Sequence, residues 1–245
     1  WREYCLAAAR ARVEEDPDAP ERIYQITWEP VYPWGFKGTD EDLIRIYSIA
    51  YPAIHEADPK AVVVGPTGAG ISRGDVEWTA TLLRKGIGKY LDAFSLHPYH
   101  AVPPERLGYV ERLRELKEVI RQHAGRDLAI LGTEQGSPTG ENPAKELDQA
   151  RGLLRENLIA MGEGFRLNFA FYIVDYPTEP GYGYFYNLVP RKPIPWGPEK
   201  IGPKPIAPAY AFQSFLLEGH RAAGPIEWLG DTALGYAYER GDHVV

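Results

Sequence analysis

The sequence has a single cysteine, Cys5, so no disulfide forms within the chain and no thiolate cluster is on offer for a metal. Positive charge is also short: 34 acidic residues outnumber 27 basic ones, for a net charge of −7. With no broad positive field, neither a nucleic-acid backbone nor an anionic membrane surface is expected as a partner, and a neutral or weakly charged substrate fits better. No apolar stretch approaches the roughly 20 residues of a membrane span. The opening WREYCLAAAR lacks the basic end, apolar middle and small-residue cleavage site of a signal peptide. Phosphate-binding glycine turns are missing as well. The nearest, GPTGAG at 65–70, has neither the GxGxxG nor the GxxxxGK[ST] spacing and reads as a tight turn.

What is present is a repeating alternation of two patterns. Short apolar runs at about 22–27, 61–65, 91–97, 128–133 and 167–174 read as strands buried on both faces, and helical periodicity fills the intervals between them. A helix opens the chain, with Trp1, Tyr4, Cys5, Ala8 and Ala9 on one side, before the prolines of EEDPDAP break it. Thr39 or Asp40 can cap a second helix whose inner face is Leu43, Ile46, Tyr47, Ala50 and Ile54. Further helices are expected near 74–87, through Leu113, Leu116 and Ile120, and through Leu147, Ala150, Leu154 and Leu158. Five strands each separated by a helix make an α/β protein with a parallel sheet and right-handed crossovers.

With no phosphate turn to favour an open doubly wound sheet, the architecture expected is a (β/α)8 TIM barrel, whose chemistry sits on the loops after the strands. Polar residues gather there: Glu29, Thr67, His97 with Tyr99, Glu134, and Asp175 with Tyr176. Five strands fall short of eight. PIEWLG, ALGYAYERG and DHVV alternate apolar and polar residues around Gly-Asp turns, as strands of an antiparallel unit do. The sequence therefore reads as an internal piece of a longer polypeptide, with 1–222 a partial catalytic barrel and 223–245 the beginning of an appended all-β domain.

Two carboxylates at strand ends, Glu29 in ITWEP and Glu134 in ILGTEQG, suit glycosidic bond hydrolysis. One acid must protonate the leaving oxygen while the other stabilises or captures the oxocarbenium-like carbon. Trp28 and Pro30 would flank Glu29 with apolar surface, and His97 and Tyr99 are the candidate donors to Glu134. Each residue also has a structural reading: Glu29 as a salt-bridged acid, His97 as a packed histidine, Asp175 as a loop cap. His97 with His100 and a glutamate would alternatively hold a divalent metal, as in barrel sugar isomerases. The aromatic segments VYPWGF at 31–36, with Trp34, and YPTEPGYGYFYNLVPRKPIPW at 176–196 suit the C–H faces of sugars, or else form a packed lid. Arg191 and Lys192 in the second segment would favour an acidic sugar.

The order of these motifs resembles clan A glycoside hydrolases, the 4/7 superfamily of (β/α)8 retaining glycosidases. Counting the strands as four to eight, the resemblance implies Glu29 as acid/base at the fourth and Glu134 as nucleophile at the seventh. SLHPYH, with His97 and Tyr99, resembles the clan's His-x-Tyr at the sixth strand, where the tyrosine contacts the nucleophile. VVVGP at 62–66 is similar to the fifth strand of the β-xylosidase and α-iduronidase-like branch, and GYAYERGDHVV resembles the start of its β-sandwich. Two features depart from the pattern. Trp28 stands where the clan has an asparagine for the sugar 2-hydroxyl, and Tyr172 or Tyr176 takes the place of its tryptophan floor. The resemblance implies a carbohydrate substrate, a secreted or periplasmic protein, and no cofactor or metal. A carbohydrate-binding barrel without catalysis is the alternative of a different class.

Overall fold

The computed structural model of the protein describes residues 1–99, 103–140, 142–176, 179, 181–186 and 202–245. It divides into two compact units, Trp1–His97 with Glu111–Leu131, and Pro98–Val110 with Gly132–Val245. The predicted alternation is there. Helix α1 (Arg2–Glu15) precedes β1 (Arg22–Gln25), α2 (Asp40–Ala57), β2 (Ala61–Val64), α3 (Arg73–Arg84) and β3 (Ala93–Leu96). Then follow α4 (Tyr109–Ala124), β4 (Ala129–Gln135), α5 (Glu146–Gly162), β5 (Leu167–Ala170) and α6 (Ile206–Leu217). The hydrogen-bonded order β1-β2-β3-β4-β5 follows the sequence order. This is the α/β pattern of successive βα units that a partial (β/α)8 barrel requires.

In the first unit β1 and β2 pair in parallel from Arg22↔Ala61 to Gln25↔Val64, and β2 meets β3 at Val64↔Ala93. The N-terminal strand ends are tied by polar clasps. Buried Arg22 reaches Asp58 at 3.0 Å, and Tyr24 donates to the same carboxylate at 2.8 Å. Asp92 accepts from the Val63 amide at 2.9 Å and from Tyr51 at 3.0 Å. The opposite ends carry the polar residues considered below. Thr39 caps α2 through a capping box, the Asp42 amide donating to the Thr39 hydroxyl and Asp42 accepting from the Thr39 amide at 3.0 Å. Leu43, Tyr47, Ala50, Ala53 and Ile54 form the buried face of α2, close to the expected stripe.

Helix α1 differs. Cys5, Leu6 and Ala9 are buried, whereas Trp1 and Tyr4 stay outside and stack on each other at 5.5 Å. The groove is built of small residues, with Ala9 packed among Ala50, Ala53 and Ile54, and an indole has no room there.

In the second unit α5 turns a different face inward from the one expected. Ala150 is buried, but so are Leu153, Glu156, Asn157 and Ala160, and Leu147 is half exposed. The buried stripe carries polar residues, so apolar periodicity alone mis-phases the helix. Strand β5 stops at Ala170 rather than 174, because Tyr172 takes a positive φ of 63° that extended backbone cannot continue through. Three further strands, β6 (Arg221–Pro225), β7 (Tyr236–Arg240) and β8 (His243–Val244), pair antiparallel. They are anchored on α5: Tyr236 donates to Glu163 at 2.9 Å, and its ring lies where a side chain on Gly162 would be.

Asp175 closes the loop after β5. Its carboxylate accepts from the amides of Gly181 at 3.1 Å and Gly183 at 2.8 Å, and from buried Lys204 at 2.6 Å. The loop-cap reading of Asp175 holds, with a cation added that sequence did not suggest. Lys204→Met leaves that carboxylate buried without its counter-charge, and should destabilise the protein by about 3–5 kcal/mol. Urea unfolding would show it, with much of the loss recovered when Asp175→Asn is added.

Candidate active site

Beyond β1 the chain leaves the sheet and builds a polar platform. Gln25 donates through Nε2 to the Thr67 hydroxyl at 3.1 Å, and Thr67 donates to the Thr27 carbonyl at 2.9 Å. The Thr67 and Ser95 hydroxyls meet at 2.9 Å, and the Thr27 hydroxyl meets that of Tyr47 at 2.8 Å. These buried hydroxyls satisfy one another and fix the three strand ends, so Glu29 projects from a held base.

Glu29 adopts φ 42°, a conformation costly for a residue with a side chain, at roughly 1–3 kcal/mol. The turn that imposes it is visible. The Tyr32 amide donates to the Glu29 carbonyl at 3.1 Å, and the Gly35 amide to the Tyr32 carbonyl at 3.0 Å. Gly35 sits so close to the carbonyl oxygens of Trp28 and Glu29 that any Cβ there would overlap them. The side chain of Glu29 is only 11% exposed. Oε1 is hydrogen-bonded to His97 Nδ1 at 2.9 Å, and Oε2 accepts from the Trp34 indole at 3.2 Å. Trp34 in turn stacks on Tyr32 at 4.1 Å. His97, fully buried, bonds Glu29 within this unit, a contact not foreseen from sequence, and its backbone amide donates to the Gly68 carbonyl at 2.8 Å. Trp28, expected as apolar cover for Glu29, is 47% exposed, and Trp34 supplies the contact to the carboxylate.

In the second unit Glu134 lies within β4, one residue before its end, rather than beyond the strand. The Tyr99 hydroxyl donates to Glu134 Oε2 at 2.7 Å. An aromatic wall surrounds Tyr99: Phe171 meets its ring edge-on at 5.6 Å and Tyr182 at 5.9 Å. Tyr172 lies over Phe171 at 3.9 Å and beside Tyr176 at 5.7 Å, so both tyrosines expected in the site belong to this cluster. Burial and the hydrogen bond to Glu179 push the Tyr172 hydroxyl up to about 12, so it remains a donor throughout the neutral range. Gly136 makes room for the wall, as a Cβ there would press on the Tyr182 ring at 2.9 Å.

The structure thus groups Trp28, Glu29, Trp34 and His97 in one unit, and Tyr99, Glu134, Tyr172 and Tyr176 in the other. Residues missed from sequence are Thr27 and Ser95 in the platform and Phe171 in the wall. Ser95 and Phe171 fall inside apolar runs that read as strand, and only their two-residue spacing from His97 and from Phe169 marks the alternate faces. His100, Arg191, Lys192 and Trp196 lie outside the described residues.

No family model and no curated protein matches the sequence. Solved structures do share its fold. One described as a family 39 glycoside hydrolase from the gut symbiont Bacteroides cellulosilyticus is 20% identical, with a TM-score of 0.73 over 99% of this chain and 50% of that one. A family 39 β-xylosidase from Caulobacter crescentus is 20% identical, with a TM-score of 0.66 over 100% of this chain and 52% of its own. A family 39 enzyme from Xanthomonas axonopodis pv. citri is 19% identical, with a TM-score of 0.67 over 100% of this chain and 49% of its own. The chain spans about half the length of these structures.

Proposed function

We propose that the protein acts as a retaining glycoside hydrolase on an oligo- or polysaccharide, with Glu134 as nucleophile and Glu29 as acid/base. The observation that carries the reading is the Tyr99 hydroxyl at 2.7 Å from Glu134, on a strand end walled by aromatic rings. A carboxylate fixed in that way keeps its attack direction while the rings present π faces to sugar C–H groups. The names of the structures sharing the fold agree with it, since they are glycoside hydrolases and one is a β-xylosidase.

In the first step Glu134 attacks the anomeric carbon, the bond to the leaving oxygen breaks, and the Glu29 proton passes to that oxygen. The products are the free aglycone and a glycosyl ester on Glu134. In the second step Glu29, now a carboxylate, takes a proton from water as the water attacks the same carbon and releases Glu134. Two inversions return the original anomer. His97 and Trp34 orient Glu29 in both steps, Tyr99 orients Glu134, and Trp28, Tyr172 and Tyr176 line the sugar path. This chemistry asks nothing of a cofactor or metal. Residues 1–222 serve as part of a catalytic barrel in this reading, and β6–β8 begin an appended β-sandwich.

Hydrolysis of aryl β-xyloside, with proton NMR of the first sugar released, tests the proposal. The longest natural polypeptide carrying this sequence should release β-xylose first and be unaffected by EDTA. Release of the α anomer would refute retention, loss of activity to EDTA would favour the metal-dependent reading, and binding without turnover across a panel of aryl glycosides would favour a carbohydrate-binding barrel.

A further inference from the structure

Behind Glu134 the second unit buries a carboxyl that the proposed chemistry does not use. Glu156, on α5, is fully buried. Tyr109 donates to its Oε1 at 2.9 Å, and Asn168 Nδ2 donates to its Oε2 at 3.1 Å and to Asn157 Oδ1 at 2.8 Å. Gln135 Nε2 reaches Asn157 Oδ1 at 3.4 Å and the Tyr184 hydroxyl at 3.5 Å. These groups form one connected set drawn from β4, α4, α5, β5 and the loop carrying Tyr184.

The donors and acceptors of this set do not balance. Gln135 Oε1 and Asn168 Oδ1 are buried with no hydrogen-bond partner among the described residues, and a charged Glu156 would add two more acceptors and no donor. The groups bonded to Glu156, Tyr109 and Asn168, are neutral, so a charge there would be buried without a counter-ion; a proton removes it, with the O–H donating to the Tyr109 hydroxyl in place of the bond Tyr109 now gives, while the Asn168 bonds stay as they are. Gly132 permits the Asn168 amide to sit there at all, since a Cβ at Gly132 would overlap it. We propose that Glu156 carries a proton in the folded protein and, through Asn168, Asn157 and Gln135, positions the end of β4 on which Glu134 stands.

The mechanical link is short. Gln135 follows Glu134 and points to the opposite face of the strand. Its carbonyl accepts from the Phe171 amide at 2.8 Å, and Phe171 packs on Tyr99. A shift of Gln135 therefore moves both the nucleophile and the ring that holds it. Asn157, Asn168 and Gln213 border a cavity of about 900 Å³, which gives the proton a route.

The electrostatics agree. Burial raises the Glu156 carboxyl to about 7, opposed by the donors Tyr109 and Asn168, and among the described residues none of the groups acting on it is a cation. The titratable groups facing the cluster are Tyr109 and Tyr184, both pushed up by burial, with Tyr236 acting on Tyr109. A carboxyl raised in the folded state binds its proton more tightly there. Its stabilising share is complete below the ordinary 4.5 and is lost as pH rises through about 7.

The inference about Glu134 rests on the glycosidase reading, whereas the proton does not, so two measurements on parent and Glu156→Gln separate them. First, the thermal midpoint of the parent should fall between about pH 4.5 and 7 more steeply than that of E156Q. Parallel curves would overturn the bound proton. Second, the backbone amide NMR shifts of Glu134 and Gln135 should titrate near neutrality in the parent and not in E156Q. Amide shifts indifferent to Glu156 would overturn the positioning role whether or not the protein turns over a sugar. Where turnover is seen, the neutral-to-alkaline fall in kcat of the parent should be absent from E156Q while KM is unchanged, and a fall of equal size in both would again remove the positioning role.

Discussion

Glu134→Gln should lower kcat on an activated aryl glycoside by on the order of 10⁴-fold or more, with ligand binding retained. The substitution is nearly isosteric. The amide oxygen still accepts from Tyr99, whose hydroxyl now stands 2.7 Å from the carboxylate, so the aromatic wall keeps its shape. What is lost is the ability to form an ester with the anomeric carbon, because a neutral carboxamide is a poor nucleophile. Each tenfold of rate corresponds to about 1.36 kcal/mol of transition-state stabilisation, so the loss approaches 5–6 kcal/mol with little change in folding stability. Calorimetric titration with an oligosaccharide and a thermal melt, run beside the kinetics, separate this from a misfolded variant. A second variant sharpens the assignment. In Glu134→Ala the vacated volume admits azide, and a glycosyl azide of inverted configuration identifies the missing side chain as the attacking group. Turnover within tenfold of the parent in Glu134→Gln would remove Glu134 from the chemistry.

The repeating βα pattern was legible in the sequence because strands such as AVVV at 61–64 are buried on both faces and cannot be confused with surface segments. A cap at Thr39 or Asp40 was legible because small polar residues stand just ahead of an apolar run, and Thr39 is the one whose hydroxyl accepts from the Asp42 amide. Glu29 and Glu134 could be picked out as carboxylates placed against apolar strands. Their immediate partners were legible only in part: Tyr99 donates to Glu134 as expected, whereas the bond between His97 and Glu29 was not foreseen. Nor could the sequence show the φ of Glu29, which comes from a turn closed by Gly35 six residues on. The least legible part was the polar interior of α5. Hydrophobic periodicity assigns Leu147, Ala150, Leu154 and Leu158 inward; Ala150 is buried and Leu154 packs against the core, but Leu147 is half exposed, and Leu153, Glu156 and Asn157 are buried with them. Polar residues enter a core when they satisfy one another, and that depends on partners from β4, α4 and β5 that no local pattern reveals.

Glu29→Gln should show a loss that depends on the leaving group, and this is the sharpest way to distinguish an acid/base from a residue that merely supports the loop. Glutamine keeps the size of the side chain and its acceptor for the Trp34 indole, so the strained turn stays closed. The missing property is the proton. A poorly departing alkoxide needs that proton as the bond breaks, so hydrolysis of an alkyl glycoside should fall by roughly 10²–10⁴-fold. A dinitrophenolate leaves without it, so formation of the ester on Glu134 should be slowed far less for that substrate. The second step is slowed in every case, since water has lost its base. The ester should then accumulate, seen as a burst of dinitrophenol followed by slow turnover, and mass spectrometry should find the sugar attached to the protein. Azide bypasses the need for a base and should raise the slow rate, giving a glycosyl azide of retained configuration, the opposite of that from Glu134→Ala. If Glu29→Gln slows alkyl and dinitrophenyl glycosides by the same factor without a burst, then Glu29 contributes through the shape of its turn, and the proton must come from elsewhere.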